Sequence, residues 1–324
     1  MILRACTVQG AELQHFMYIP MMKKDSSGST GWRYWLNLFF FGLAALGLSG
    51  LVGVIFTAYR STLSYLHPPR RRLTGLDTPA ALGIDYQEVE LVTRDGIRLA
   101  AWYSPPSNGA VILIGHGLAD ARSAFLHAMF AENGYGVVAW DFRAHGQSGG
   151  EMTTLGYREA LDVEAALDFS LEQEAVRQVG AWGGSMGGAA VIRAASNRKE
   201  IEAVVVDSAY ACLEDELIWL VNYDIFTPFI RFFAERQTGL KISDLCPERE
   251  IERISPRPVL IIHGEADPVI PVSASERLFE AAGEPRFLWT EPAVGHVGMR
   301  STYPEIYEDR VVGFFDDHLL NDSH

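Results

Sequence analysis

The stretch that decides the fold runs from Val176 to Ala195 and reads VRQVGAWGGSMGGAAVIRAA. Its first part is rich in apolar and β-branched residues, which predicts a strand, and its second part has the small-residue pattern of a helix. Between them lies the Gly-x-Ser-x-Gly motif Gly183-Gly184-Ser185-Met186-Gly187. A sharp strand-to-helix turn of this kind exposes a serine hydroxyl, and its glycines let the two elements approach closely. Ser185 is therefore the candidate nucleophile.

A second copy of the motif occurs at residues 146–150, around Ser148. Ser148 lies beyond a predicted strand that ends at Asp141, inside a polar loop, and no helical pattern begins until about Leu155. The motif alone cannot choose between the two serines, but the strand-then-helix context favours Ser185. We predict that Ser148 belongs to loop structure.

Composition indicates a globular protein, because 48% of the 324 residues are hydrophobic and 21% are charged. This length allows one large α/β domain or two small ones. With 41 acidic against 27 basic residues the formal net charge is −14. Nucleic acid is therefore not expected as a partner, since phosphate binding requires a concentrated basic surface.

The cysteines are sparse, at positions 6, 212 and 246. No C-x-x-C pair or Cys/His cluster predicts a zinc site, and we expect no metal and no organic cofactor. We expect free thiols. Pairing of Cys212 with Cys246 is the alternative if they face an oxidising compartment.

The N-terminal region contains one long uncharged segment. Residues 36–58 read LNLFFFGLAALGLSGLVGVIFTA, which as a helix would be about 35 Å long and could cross a bilayer. A cleaved signal peptide would have a shorter apolar region, and a buried core helix is rarely apolar on all sides. We therefore predict a single-pass membrane anchor that contacts lipid.

The predicted organisation has four parts: a polar segment at 1–35, the anchor at 36–58, a stiff basic linker at 59–82 and one catalytic domain at 83–324. Met21 and Met22 are alternative start positions. Basic residues flank the anchor on both sides, with a slight excess after it: Lys23, Lys24 and Arg33 before, then Arg60, Arg70, Arg71 and Arg72. The positive-inside rule therefore leans toward a cytoplasmic catalytic domain. We interpret the basic run as charge near anionic lipid.

Strand and helix patterns alternate through the domain, after an initial hairpin over residues 86–104. This alternation predicts one sheet of about eight mostly parallel strands with helices on both faces. The alternation of strands and helices stops between residues 208 and 256, where aromatic helical segments predict a small lid inserted after the sixth strand. Its candidate substrate contacts are four aromatic residues, Trp219, Tyr223, Phe226 and Phe229. Packing of the lid onto the sheet is the alternative explanation for these aromatics.

The acid and the base are expected after later strands, at the carboxyl edge of the sheet. Asp267 follows a buried strand in the sequence HGEADPVIP, and Glu265 is the rival acid. His296 lies between Gly295 and Val297-Gly298 after the last predicted strand. The order Ser185, Asp267, His296 is that of α/β-hydrolases. We interpret His145 and His263 as loop and strand-end structure.

Residues 83–320 resemble the α/β-hydrolase superfamily, in particular its serine-aminopeptidase-like and monoacylglycerol-lipase-like members with an N-terminal membrane anchor. The resemblance is carried by five short segments in order: GHG at 115–117, DFRAHGQS at 141–148, WGGSMGG at 182–188, HGEAD at 263–267 and GH at 295–296. It implies Ser185 as nucleophile, His296 as general base and then acid, and Asp267 as the acid that orients it.

Two backbone N–H groups are expected to form the oxyanion hole, those of Leu118 after the third strand and Met186 after the nucleophile. The sequence thus predicts a serine hydrolase of carboxylic esters or thioesters with an apolar, lipid-like acyl group, working through an acyl-enzyme. A peptidase or amidase with the same triad is the alternative, because the fold does not determine the leaving group. A non-catalytic, membrane-tethered scaffold is the second alternative.

Overall fold

The computed structural model describes residues 30–216 and 225–321. The chain divides into two compact units, Met1–Val52 and Gly53–His324. All contacts described below lie within the second unit.

One mixed sheet of eight strands forms the centre of the second unit, with the order β1-β2-β4-β3-β5-β6-β7-β8. The first two strands form an antiparallel hairpin, β2 also pairs antiparallel with β4, and all later pairings are parallel. The strands are β1 Gln87–Val92, β2 Arg98–Ser104, β3 Ala110–Gly115, β4 Gly136–Trp140, β5 Gln178–Gly184, β6 Ile201–Asp207, β7 Val259–Gly264 and β8 Arg286–Glu291. The predicted eight-stranded, mostly parallel sheet is confirmed.

Helices cover both faces of the sheet, as predicted. They are α1 Thr30–Leu66, α2 Ala124–Glu132, α3 Glu159–Leu171, α4 Met186–Asn197, α5 Thr227–Thr238, α6 Ser273–Ala281, α7 Met299–Thr302 and α8 Pro304–Phe315. Along β3, Val111 and Leu113 join one core with α3 and α4, while Ile112 and Ile114 join a second core with α2 and α8. Because its side chains are buried on both faces, β3 reads AVILIG without a polar residue.

The N-terminal helix α1 is longer than the predicted anchor. The part Gly31–Leu66 is long and apolar enough to span a membrane, with a mean hydropathy of 2.3 in its most apolar window. By length and composition alone a signal sequence would pass the same test. The prediction of a linker that begins at residue 59 is wrong for residues 59–66. The helix α1 continues to Leu66, and its residues Ala58, Thr62 and Leu66 are buried in the domain.

The basic run after α1 binds the domain. The Arg70 guanidinium donates to the backbone carbonyls of Ser148 and of Gly150, the latter at 2.6 Å. The Arg71 side chain forms an ion pair of 2.5 Å with Asp120. These two arginines therefore have protein partners, which the lipid-facing interpretation of the run did not anticipate.

The expectation of free thiols is wrong for two of the three cysteines. Cys212 and Cys246 form a disulfide across 34 residues of sequence, which ties the end of the β6 loop to the segment after α5. Structural disulfides persist mainly in oxidising compartments.

The inserted lid segment is only partly described. Its described part contains α5 and three 3₁₀ turns at Ile242–Asp244, Pro247–Arg249 and Ile251–Ile254. Thr227-Pro228 begins α5, and Gly239 ends it in a left-handed conformation with φ of 70°. The segment follows β6, the sixth strand.

A buried arginine holds the loop after β4 to α3. The Arg143 side chain donates to Asp162 at 2.6 and 2.9 Å and to Asp95 at 2.7 Å. Burial alone lowers the pKa of Arg143, but hydrogen bonds to Asp95 and Asp162 raise it above its ordinary value. The guanidinium therefore remains charged at neutral pH.

Replacing Arg143 by Met should destabilise the domain by about 3–5 kcal/mol, because Asp162 would stay buried without its partner. The matched control is Arg98→Met, which removes an ion pair of 4.0 Å to Glu90 between side chains that are 75% and 63% exposed. That control should cost less than about 1 kcal/mol. Urea unfolding of the two variants measures the difference, and equal effects would contradict the structural role of Arg143.

Candidate active site

The turn at Ser185 is built on a close approach of three backbone segments. A Cβ atom at Gly183 would lie 2.5 Å from the Gly187 carbonyl oxygen, and one at Gly187 would lie 2.3 Å from the Gly115 carbonyl oxygen. Only glycine fits at both positions. Ser185 itself has φ of 53° and ψ of −121°, a conformation that is strained for a residue with a side chain. The turn therefore projects the serine hydroxyl away from the sheet, as the motif predicts.

The three predicted triad residues are brought together at the carboxyl edge of the sheet. The Nε2 atom of His296 lies 2.9 Å from the Ser185 Oγ, and its Nδ1 atom lies 2.7 Å from the Asp267 Oδ2. With Nδ1–H donating to the carboxylate, Nε2 is free to accept the serine proton. This is the hydrogen-bond arrangement of a nucleophile, a base and an orienting acid.

Asp267 is held as a carboxylate by several donors. Its Oδ1 accepts hydrogen bonds from the backbone N–H groups of Val269 at 2.7 Å and Ile270 at 3.0 Å. Burial raises the pKa of Asp267, but hydrogen bonds from His263 and His296 and from the Ile270 backbone lower it well below its ordinary value. The rival acid Glu265 instead accepts from the Thr290 hydroxyl at 2.9 Å.

His263 has a role that the sequence did not reveal. Its Nε2 lies 3.0 Å from the Ile270 carbonyl oxygen and 3.3 Å from the Asp267 Oδ2. Since a carbonyl only accepts, Nε2 carries the proton, and Nδ1 accepts from the Ser275 hydroxyl at 2.6 Å. His263 is thus a second partner of the acid, beyond the strand-end structure that we predicted. Its position four residues before Asp267 was the available signal.

The loop that carries His296 is fixed by a buried polar chain from the neighbouring strand. The N–H of Val297 donates to the Ser208 hydroxyl at 3.0 Å, and this hydroxyl donates to Asp207 Oδ1 at 2.9 Å. The Tyr307 hydroxyl donates to the other Asp207 oxygen at 3.3 Å and accepts from the Trp182 indole at 2.8 Å. Burial raises the pKa of Asp207 to about 6. The polar residues at the end of β6 were a signal in the sequence for this hydrogen-bond network, because the carboxyl ends of parallel strands form the site.

The two predicted oxyanion donors both line the cavity in front of Ser185. Met186 is the first residue of α4, so its N–H has no partner within the helix. Among the described residues no backbone carbonyl accepts from the Leu118 N–H. Both groups are therefore available to a developing oxyanion.

His116 holds the loop that contains Leu118. Its Nε2 accepts from the Phe142 N–H at 2.9 Å, so Nδ1 carries the proton and donates to the Gly117 carbonyl at 2.7 Å. Burial and the nearby His145 lower the pKa of His116 to about 4, which keeps the ring neutral. His116 therefore ties the loop that carries Leu118 to the loop after β4.

A cavity of about 570 Å³ opens in front of the serine. Its wall is mostly apolar, with two buried carboxyl groups, those of Asp207 and Glu216. Burial raises the pKa of Glu216 to about 7. Tyr65, from the last turn of α1, also contributes to this wall.

The two predicted lid contacts that the structure describes, Phe226 and Phe229, do not line this wall. Phe226 and Phe229 are partly buried and pack against the hydrophobic core, which agrees with the packing alternative. Trp219 and Tyr223 lie outside the described residues. The lid residues that do line the cavity are Tyr210, Leu213 and Glu216.

Ser148 is part of loop structure, as predicted. Its hydroxyl accepts from the Ala100 N–H at 2.9 Å and donates to the Asp141 carbonyl, and the side chain is buried. His145 is also buried, with its Nδ1 2.8 Å from the Arg143 carbonyl. Neither residue faces the cavity of Ser185.

Within residues 30–216 and 225–321, one group of potential metal ligands lies close together: Cys212, Cys246 and Glu248. The two sulfurs form a disulfide and offer no thiolate, and the Glu248 carboxylate accepts from the Arg277 guanidinium. This group does not fit a metal ion.

Comparison with known proteins agrees with this geometry. Residues 106–238 match the Hydrolase_4 family, described as serine aminopeptidase, S33. This segment contains Ser185 but ends before Asp267 and His296.

Relatives cover most of the chain. The uncharacterized protein YfhR of Escherichia coli K12 is 28% identical over 276 residues, which is 80% of this chain and 89% of YfhR. The uncharacterized protein Rv2307c of Mycobacterium tuberculosis H37Rv is 29% identical over 279 residues, or 83% and 90% of the two chains.

Among solved structures, the esterase Pf2001 of Pyrococcus furiosus superposes with a TM-score of 0.66 at 27% identity, covering 79% of this chain and 98% of the esterase. The sheet order, the serine turn and these similarities lead to one conclusion. The chain has the α/β-hydrolase fold, which it shares with an esterase of known structure.

Proposed function

We propose that this protein is a serine hydrolase that cleaves carboxylic esters or thioesters. The observation that carries the proposal is the continuous hydrogen-bond path from Ser185 through His296 to Asp267, which opens into a mostly apolar cavity. A buried, ionised acid and a base beside a strained serine are the arrangement that activates a hydroxyl nucleophile.

The reaction proceeds in two acyl-transfer steps. Ser185 Oγ attacks the substrate carbonyl while His296 Nε2 takes its proton, and the N–H groups of Leu118 and Met186 bind the oxyanion. His296 then protonates the leaving alcohol or thiol, which departs and leaves an acyl-serine. Water, deprotonated by His296, attacks this ester and releases the acid and the free serine. The proposal uses no metal and no organic cofactor.

The substrate that best fits this cavity has an apolar, lipid-like acyl group. Apolar residues dominate its wall, including Leu118, Leu126 and Leu213. Binding sites of this kind bury most of an apolar ligand and orient it with a few polar groups. Here the triad and the two N–H donors supply that orientation.

A serine peptidase with the same triad remains the second candidate, and one residue favours it. The buried Glu216 carboxyl lies on the cavity wall, where its ionised form could bind a substrate ammonium group. Nitrophenyl esters compared with aminoacyl-nitroanilides separate the two functions. We expect faster turnover of the esters. A preference for the nitroanilides that is lost in Glu216→Gln would instead establish the peptidase.

Ser185→Ala should abolish covalent labelling by a fluorophosphonate probe and lower kcat for ester hydrolysis by about 10⁶-fold, because the nucleophile is lost. The matched control is Ser148→Ala, the serine of the second Gly-x-Ser-x-Gly motif, which should still be labelled. In-gel fluorescence of the full-length chain reads out both variants. Absence of labelling in the folded wild type would refute the hydrolase, and so would labelling that survives in Ser185→Ala.

Asp267→Asn should lower kcat by about 10⁴-fold, because His296 would lose the acceptor that sets its tautomer. Glu265→Gln, two residues away, should change kcat less than threefold, since Glu265 contacts Thr290 and not His296. Steady-state kinetics on a nitrophenyl ester tests the pair. If Glu265→Gln were the more damaging change, the assignment of the acid would be wrong.

We also propose that α1 anchors the protein as a single membrane span. The apolar run and its flanking aromatic residues support this, although a signal sequence has similar composition.

The full-length chain should stay in the membrane pellet after carbonate extraction. Replacing Leu46 and Leu51 by Lys should release it, because a charge at the centre of a span costs about 3 kcal/mol or more. Immunoblotting of pellet and supernatant measures the distribution. A wild-type chain that is found mature and shortened in the supernatant would identify the segment as a signal peptide.

A further inference from the structure

We infer that a second, narrow cavity beside the active site binds the acyl chain of the substrate, and that the last turns of α1 form one of its walls. The inference rests on the proposed ester hydrolysis and names the place and shape of the acyl group. It makes the N-terminal helix a determinant of specificity as well as an anchor.

The two cavities are adjacent, because Tyr65, Leu155 and Leu213 line both of them. Leu155 also packs against the main hydrophobic core, and the Tyr210 hydroxyl donates to its carbonyl at 2.7 Å. A chain that starts at the Ser185 acyl position would pass these three side chains before it entered the second cavity.

The wall of the second cavity comes from three places in the sequence. Leu66 lies at the end of α1, Ile230 and Ala234 lie on α5, and Ile242 and Leu245 follow α5. Since Leu66, Ile230 and Ile242 are almost completely buried, these elements form a closed pocket and not an open groove. A closed, narrow space suits one unbranched chain better than a ring or a branched group.

The chemistry of the wall excludes a polar ligand. No charged residue in the described part of the chain lines the second cavity. Its three threonine hydroxyls donate within the protein: Thr62 to the Ala58 carbonyl at 2.9 Å, Thr154 to Glu159 at 2.8 Å and Thr238 to the Ala234 carbonyl at 2.8 Å. A hydrocarbon chain therefore loses no hydrogen bond there and removes apolar surface from water.

The position of α1 connects this cavity with the proposed membrane span. The Tyr59 ring packs edge-on against Phe233 of α5 with a centroid distance of 5.2 Å. Phe56 on α1 and Phe232 on α5 are 63% and 61% exposed and present a further apolar surface around this contact. An ester dissolved in the membrane would meet this aromatic surface next to the acyl cavity.

Acyl-chain length tests the inference. Nitrophenyl acetate, hexanoate and decanoate are compared on the full-length chain in phosphatidylcholine nanodiscs. The wild type should prefer the decanoate, with kcat/KM rising up to about fourfold for each methylene that is buried. Ala234→Trp fills the cavity and should lower kcat/KM for the decanoate at least tenfold while it changes the acetate value less than twofold.

The matched control is Arg236→Trp, which adds the same side chain to an exposed position of the same helix and should leave the wild-type profile unchanged. Leu240→Ala works in the opposite direction, because it enlarges the cavity and should move the preference toward the dodecanoate. This variant also decides the question if Ala234→Trp fails to fold.

Two results would overturn the acyl cavity. One is a wild-type profile that does not rise beyond the hexanoate, and the other is an Ala234→Trp or Leu240→Ala profile that is parallel to the wild type. Both leave the proposed function standing, provided that the acetate is hydrolysed and the fluorophosphonate probe labels Ser185. Absence of acetate hydrolysis and of labelling would instead refute the proposed function itself.

Discussion

The site depends on one constraint: three backbone segments meet at a point where there is no room for a side chain. Gly183 at the end of β5 lies too close to Gly187 for a Cβ atom, and Gly187 in the first turn of α4 lies too close to Gly115 at the end of β3 for one. This contact allows the turn that holds Ser185 at a positive φ. It also brings the loop after β3, with Leu118, to the same side of the serine as the N-terminus of α4. The proposed nucleophile and the proposed oxyanion donors are thus positioned by one packing contact.

The acid and the base are held by separate buried networks, each on its own side of the triad. Asp267 is surrounded by two backbone N–H groups, His263 and His296, so that it remains ionised. The loop of His296 is tied to β6 through Ser208 and Asp207. Since Asp207 lies next to β5 in the sheet, the base is positioned relative to the strand that carries the serine. Fixed side chains lose little freedom in the reaction, which is the physical basis of preorganisation.

The helix proposed as the membrane anchor also contributes to the proposed active site through its last turns. Its last turns are buried in the domain, and Tyr65 reaches the walls of both cavities. The run that follows is also bound, through Arg70 at the loop of residues 146–150. The last turns of α1 and the run that follows them are therefore part of the domain.

Local patterns in the sequence determined the alternation of strands and helices, the choice of Ser185 over Ser148, and the order in which Ser185, Asp267 and His296 follow their strands. Such features depend on residues that are close together in the chain, where periodicity and turn chemistry act directly. Only the tertiary structure decided the contact of His263 with Asp267, the support of the His296 loop by Ser208, the pairing of Cys212 with Cys246, and the place of α1 at the cavity. It also placed Phe226 and Phe229 in the core and not on the cavity wall. These outcomes depend on which distant segments pack together, and packing in three dimensions leaves no periodic signal in the sequence.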